Sequence, residues 1–223
     1  MSLQLPLGIQ LRDSATFTNF QAAQNQQLLS ALQDNQQTCV FFWGKAGTGK
    51  SHLLQALCHA QAEEDRRVAY LPLAEAGLMP VMLDDMDQFD LICVDDFQHV
   101  VGKEEWEIAL FHLYNRIQSR AARLVINADQ ALASLTIGLP DLASRLGWGL
   151  VFQLQELSDE DKQTALQQRA QARGLEMNNE VAAYLLRHTP RNMKSLLALL
   201  DKLDRASLAA QRKLTIPFVR EIV

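Results

Sequence analysis

The chain has 223 residues, 48% hydrophobic and 21% charged, a balance that supplies a substantial core and excludes disorder. The formal charge is −5, unevenly spread: residues 1–155 carry 10 basic against 17 acidic side chains, and residues 156–223 carry 11 against 9. Neither half is a strongly cationic surface, which speaks against tight binding of duplex DNA through its phosphates.

Cys39, Cys58 and Cys93 are an odd number with no CxxC pair, which argues against a disulfide framework or a structural zinc site and for buried thiols in a reducing compartment. Met1–Leu11 is apolar but lacks a basic leading segment and contains Pro6 and Gly8, so it is not a secretory signal. No apolar run approaches the ~20 residues needed to span a bilayer. The expectation is a cytoplasmic protein without a membrane partner.

In chain order, Cys39–Trp43, Val68–Leu71, Leu91–Val94, Leu124–Ile126 and Leu150–Leu154 read as short apolar strands. Between them, 51–62 carries Leu53, Leu54 and Leu57 on one helical face, and 103–119 carries Trp106, Leu110, Leu113 and Ile117, with Glu104, Glu105 and Glu107 early, where the helix dipole favours acids. Alternating strands and helices predict an α/β domain with a mainly parallel sheet, and strands apolar throughout predict both faces covered. After Leu154 no strand is needed. Ser158 and Asp161 read as a helix start, Gly174 as its stop, Asn178 or Asn179 as a second cap and Pro190 as the opening of a third helix, with Pro217 starting a last turn. The expected organisation is a tail over 1–12, an α/β domain over 13–155 and a small helical bundle over 156–223.

Gly44-Lys45-Ala46-Gly47-Thr48-Gly49-Lys50-Ser51 fits G-x-x-x-x-G-K-[ST] at every fixed position, between a strand and an amphipathic helix. Gly44, Gly47 and Gly49 allow a tight turn whose N–H groups, with that of Thr48, face phosphate oxygens. Lys50 supplies charge for the β- and γ-phosphates, Ser51 a hydroxyl for Mg²⁺, and the following helix its positive end. Leu91–Val94 ends in Asp95 and Asp96: Asp95 is the candidate Mg²⁺ ligand and Asp96 the candidate group for an attacking water, the alternative being two exposed acids in a turn. Asn127, at the end of another strand, either faces the γ-phosphate or water, or is a turn residue. Arg145 either pairs with Asp141 or reaches another molecule's nucleotide. Asp84, Asp85, Asp87 and Asp90 read as a solvated acidic loop.

Together Thr16-Phe17-Thr18-Asn19-Phe20, the phosphate loop continuing into His52-Leu53-Leu54, Val94-Asp95-Asp96 and Leu139–Leu146 with Gly147-Trp148-Gly149 resemble the AAA+ ATPases. Within them they resemble the DnaA group, and its small DnaA-related regulators of replication initiation. The resemblance covers nearly the whole chain. It implies an AAA+ P-loop fold with a helical lid and bound ADP or ATP with Mg²⁺. Phe20 and His52 would lie beside the nucleotide, Asn127 at the first sensor position, and Arg145 as an arginine finger acting on a neighbour. Lys194 or Arg191 would serve as the second sensor, Lys194 standing where the family usually has Arg.

The resemblance also implies the initiator DnaA as a partner and the polymerase sliding clamp as another, through Leu3, Gln4, Leu5, Pro6 and Leu7, with Ser2 where Gln is usual. Homo-oligomers are possible in such a family. The initiator's helix-turn-helix domain has no counterpart before Val223, so direct sequence-specific DNA binding is not expected. The implied activity is stimulation of DnaA's ATP hydrolysis, with the chain's own hydrolysis secondary. The rival reading is a helicase-loader ATPase driven by its own turnover; a P-loop small-molecule kinase and a direct DNA-binding module fit less well.

Overall fold

The computed structural model describes residues 15–120 and 122–223; the Leu3–Leu7 segment falls outside them. Five strands, β1 (Cys39–Trp43), β2 (Val68–Pro72), β3 (Leu91–Asp95), β4 (Arg123–Ala128) and β5 (Leu150–Gln153), form one parallel sheet in the order β2-β3-β4-β1-β5. Helices α1 (Gln26–Gln33), α2 (Lys50–Glu63), α3 (Glu104–Arg120) and α4 (Pro140–Gly147) connect or flank them. Parallel neighbours need crossovers, and these helices supply the crossovers while covering the sheet.

Successive strand residues face opposite ways. Phe41, Ile92, Val94, Leu124 and Ile126 are buried with Leu110, Leu113 and Ile117 of α3 and Leu142 and Leu146 of α4 in one cluster. Val40, Phe42, Cys93 and Val125 are also almost fully buried and turn the other way, and α2 packs on β2, β3 and β4 with Leu53, Leu54 and Leu57 inaccessible. β1, β3 and β4 are therefore covered on both faces, as a continuous apolar run predicts. The edges differ. β2 alternates between buried and half-buried residues, and at β5 Leu150 and Val151 are exposed, because an outer strand receives no helix on its free side.

Gln24–Gln37, rich in glutamine, contains α1: Leu28, Ala31 and Leu32 are buried, and Arg123 caps the helix end by donating to the carbonyls of Ala31 and Leu32. Glu107 lies in the first turn of α3, as expected, and is buried. In the expected acidic loop Asp87 pairs with Arg116 and Arg120 while Asp90 accepts from the Arg67 backbone and guanidinium.

The described chain divides into two compact units, one comprising residues 15–18 and 25–155, the other 19–24 and 156–223. Residues 19–24 thus group with the helical unit, where Arg169 donates to the Asn19 carbonyl. That unit contains α5 (Asp159–Gln171), α6 (Asn179–His188), α7 (Met193–Ala210) and α8 (Ile216–Arg220), packed around Leu166, Leu185, Leu196, Leu203, Phe218 and Val219. Pro190 does not open α7. Asn192 does, its side chain accepting from the Ser195 N–H, a better cap than a residue without a donor-satisfying side chain. Arg191 consequently lies ahead of the helix.

Candidate functional site

In a parallel sheet whose strand order reverses, ligands bind beyond the carboxyl ends of the strands at the reversal. Here β1 is that strand, lying between β4 and β5. Register brings its end level with those of β3 and β4: Phe42 pairs with Asn127, Trp43 with Ala128, and Val94 with Ile126. The segment leaving β1, the end of β3 and the end of β4 therefore converge.

The segment leaving β1 is the Gly44–Ser51 loop. The Gly44 N–H donates to the Ala128 carbonyl and the Leu154 N–H to the Trp43 carbonyl, which pins the loop's start between two neighbours. A Cβ at Gly44 would meet the Leu154 carbonyl oxygen at 2.8 Å, so this glycine is required by close approach rather than by its dihedral. Gly47 and Gly49 are required by dihedral, with φ of 81° and 103°.

Gly49 is the N-cap of α2 and offers no side-chain cap, so the helix's first N–H groups keep their positive face for an outside acceptor. Thr48 closes the loop internally through its hydroxyl to the Lys45 carbonyl. Lys50 is 7% exposed, and its Nζ donates to the Gly44 and Lys45 carbonyls at 2.9 and 3.3 Å, placing an ammonium inside the curve of the loop. Ser51 makes no side-chain hydrogen bond among the described residues. His52 meets the Thr16 carbonyl at 3.0 Å, tying the Thr16–Thr18 segment to α2. Phe20 belongs to the other unit.

At the end of β3, Asp95 is 3% exposed and has no cationic partner among the described residues. Its two oxygens are held instead by neutral donors: the Asn127 amide on Oδ1 and the Tyr70 hydroxyl on Oδ2. Burial, and second the charge of Asp95, push the Tyr70 phenol far above its ordinary value, so the proton stays on Tyr70 and Asp95 accepts. A buried carboxylate lacking a cation is costly. With the free Ser51 hydroxyl in the loop, this oxygen donor set fits a hard divalent ion such as Mg²⁺.

Asn127 is fully buried and uses both ends of its amide, accepting the Asp96 N–H through Oδ1. Asn127 thus bridges Asp95 and Asp96, an engagement that neither sequence expectation describes. Asp96 has φ 59° and ψ 49°, and its carboxylate accepts from Gln98, which in turn accepts the Asp129 N–H. Asp96 is half-buried, so the alternative of two exposed acids in a turn does not apply. Tyr70 and Gln98 carry no signal in the sequence, and Glu107 only that of a first-turn acid; only register across β2 and β3 finds Tyr70.

Arg145 sits in the last turn of α4. It makes no ion pair with Asp141, and its guanidinium carbon lies 4.3 Å from the centroid of the Trp148 ring. Trp148 is 68% exposed. The helix is held by Glu107 of α3, whose carboxylate accepts the N–H groups of Gly102, Gly138 and Leu139 at 2.7–3.1 Å. In the helical unit, Arg191 is bound to Asp159, whereas Lys194 is exposed in the first turn of α7 and makes no ion pair among the described residues.

Residues 14–153 match the bacterial DnaA ATPase domain, and residues 159–223 match the Hda lid domain. Among solved structures, domain III of the Thermotoga maritima replication initiation protein DnaA is 22% identical. It has a TM-score of 0.79, with 96% of this chain and 98% of that chain covered. AMPPCP-bound DnaA from Aquifex aeolicus is 24% identical, with a TM-score of 0.75 over 88% of this chain and 67% of that one. The Thermotoga maritima RuvB Holliday junction branch migration motor shares the fold at 12% identity and a TM-score of 0.72, over 93% and 70%. No helix among the described residues is long and apolar enough to cross a membrane. The chain belongs to the family of bacterial DnaA ATPase domains, as a DnaA-related AAA+ protein with a lid of the Hda type.

Proposed function

We propose that this chain binds ADP or ATP with Mg²⁺ and restrains replication initiation by stimulating ATP hydrolysis on the initiator DnaA, in concert with the sliding clamp. Nucleotide binding is supported by the loop's inward lysine, the uncapped start of α2 and the AMPPCP-bound state of the Aquifex DnaA structure. In this reading Lys50 and the Gly47–Ser51 backbone receive the phosphates, with His52 beside the nucleotide. Ser51 and Asp95 hold Mg²⁺, whose positive charge offsets that of the phosphates. Asp96 orients water in any hydrolysis by the chain itself, held by Gln98 and Asn127. Lys194 takes the second-sensor role in preference to Arg191, because Arg191 is already neutralised by Asp159.

The observation that carries the regulatory reading is Arg145. A cation–π contact with an exposed indole positions the guanidinium without neutralising it, so its N–H groups stay available for a phosphate on another molecule. Arginines supplied in trans are worth roughly 10³–10⁵ in hydrolysis rate. In this reading the Leu3, Gln4, Leu5, Pro6 and Leu7 segment is the part of the chain that contacts the clamp.

The test is a reconstituted assay of ATP hydrolysis by DnaA with clamp loaded on DNA. Arg145→Ala should abolish stimulation while leaving nucleotide affinity intact, and removal of residues 1–8 should abolish both stimulation and capture by the clamp. Full stimulation by Arg145→Ala refutes the finger assignment; equal capture without residues 1–8 refutes the clamp partner.

A further inference from the structure

We propose that Tyr70 is a positioning residue that sets the Asp95 carboxylate for the Mg²⁺ accompanying a bound nucleotide. The inference rests on the nucleotide-binding reading and names a residue of that same site.

Tyr70 is the one polar side chain of β2, an outer strand. It pairs in register with Cys93, and Asp95 lies two residues further along β3, on the same face. Diagonal neighbours of this kind are about 7–8 Å apart, a gap that a tyrosine ring spans and a shorter side chain does not. The ring accordingly delivers its hydroxyl to Oδ2 of Asp95. That hydroxyl is itself supported: Gln55 Nε2 donates to it at 3.1 Å, and Gln55 is buried. Gln55 lies four residues after Ser51, on the same face of α2. Gln55, Tyr70, Asp95 and Asn127 thus form a chain of hydrogen bonds linking the Ser51 face of α2, through β2, to the ends of β3 and β4.

Without the phenol, Oδ2 and the Gln55 amide both lose a buried partner and the carboxylate is held at one oxygen only. Mg²⁺ demands near-ideal octahedral geometry and tolerates misplaced ligands poorly. Partners that orient a metal's ligands are typically worth about 10–100-fold in metal affinity. The consequence should appear in the metal-dependent part of nucleotide binding and not in the phosphate grip of the loop, which Tyr70 does not touch.

The experiment is calorimetric titration of the full chain with ADP, once in EDTA and once in excess Mg²⁺. Wild type should bind in EDTA and more tightly with Mg²⁺. Tyr70→Phe should keep the EDTA affinity and lose about tenfold or more of the Mg²⁺-dependent gain. Gln55→Met, which leaves the hydroxyl in place but removes its support, should lose less in the same direction, and carries the test alone if Tyr70→Phe does not fold. An undiminished Mg²⁺ gain in both variants overturns the assignment, as does an equal loss in both buffers, which marks a merely structural role. Wild type binding ADP in neither buffer instead removes the nucleotide reading itself, an outcome visible before any variant is made.

Discussion

The two units of this chain start their helices in different ways. In the helical unit every helix is capped locally: Ser158 accepts the Asp161 N–H, Asn178 that of Val181, Asn192 that of Ser195 and Thr215 that of Phe218. In the α/β unit α1, α2 and α4 have no side-chain cap. Asn25, which could cap α1, instead exchanges two hydrogen bonds with the backbone of Gln155. The N–H groups ahead of α4 go to Glu107, and the N-cap of α2 is a glycine. A local cap is complete within four residues and serves only stability. A helix start left open is completed by water, by another element, as at α4, or by a ligand, as proposed at α2.

If that contrast holds, the largest effect comes from the distant cap. Glu107→Ala removes three hydrogen bonds to a buried carboxylate, each worth about 1.5–3 kcal/mol because the acceptor is charged. The expected destabilisation, on the order of 3 kcal/mol or more, is read by urea unfolding. Because α4 carries Arg145, the proposed stimulation of DnaA should fall even under conditions where the variant stays folded. A loss below 1 kcal/mol would mean that water replaces the carboxylate and that α4 does not depend on α3.

Next comes the ligand-completed helix. ADP at 100 times its dissociation constant should stabilise the chain by about 2.7 kcal/mol. For a chain of this size that is roughly 5–10 °C in Tm. Lys50→Ala should remove the shift while leaving the ligand-free Tm nearly unchanged, since Lys50 bonds only to loop carbonyls. A preserved shift would place the nucleotide elsewhere.

The same contrast explains what could be read from the sequence. The phosphate loop was legible because its parts are contiguous and each residue type has one stereochemical purpose. Ser158 and Asn178 were legible because a cap and its target are three residues apart. Glu107 is legible only as a first-turn acid, which it is; nothing nearby reveals that Gly138 and Leu139, more than 30 residues on, converge on it. Tyr70 looked like strand filler, since its role depends on the pairing of β2 with β3. Asn127 was placed correctly at a strand end, but its double engagement with Asp95 and Asp96 depends on the order β3-β4. The exposed Leu150 and Val151 break the rule that apolar strands are covered, because strand order, which decides the edge, is a long-range property.

Within the helical unit the caps themselves should be graded. The accepting distances are 2.8 Å at Asn192, 2.9 Å at Asn178, 3.1 Å at Ser158 and 3.4 Å at Thr215. Substitution of a good cap by Ala costs about 1 kcal/mol. Asn192→Ala and Asn178→Ala should therefore approach that figure, and so should Ser158→Ala, its longer 3.1 Å contact offset by the second hydrogen bond its hydroxyl donates to Asp161. Thr215→Ala should cost least, a few tenths, since a 3.4 Å contact is beyond the usual hydrogen-bond range. α8 is only five residues long and is held by the burial of Phe218 and Val219 rather than by its start. Equal losses at all four sites would show that the caps act through backbone entropy alone. A loss at Thr215 as large as at Asn192 would show that the short last helix, despite its buried side chains, depends on its cap like the long ones.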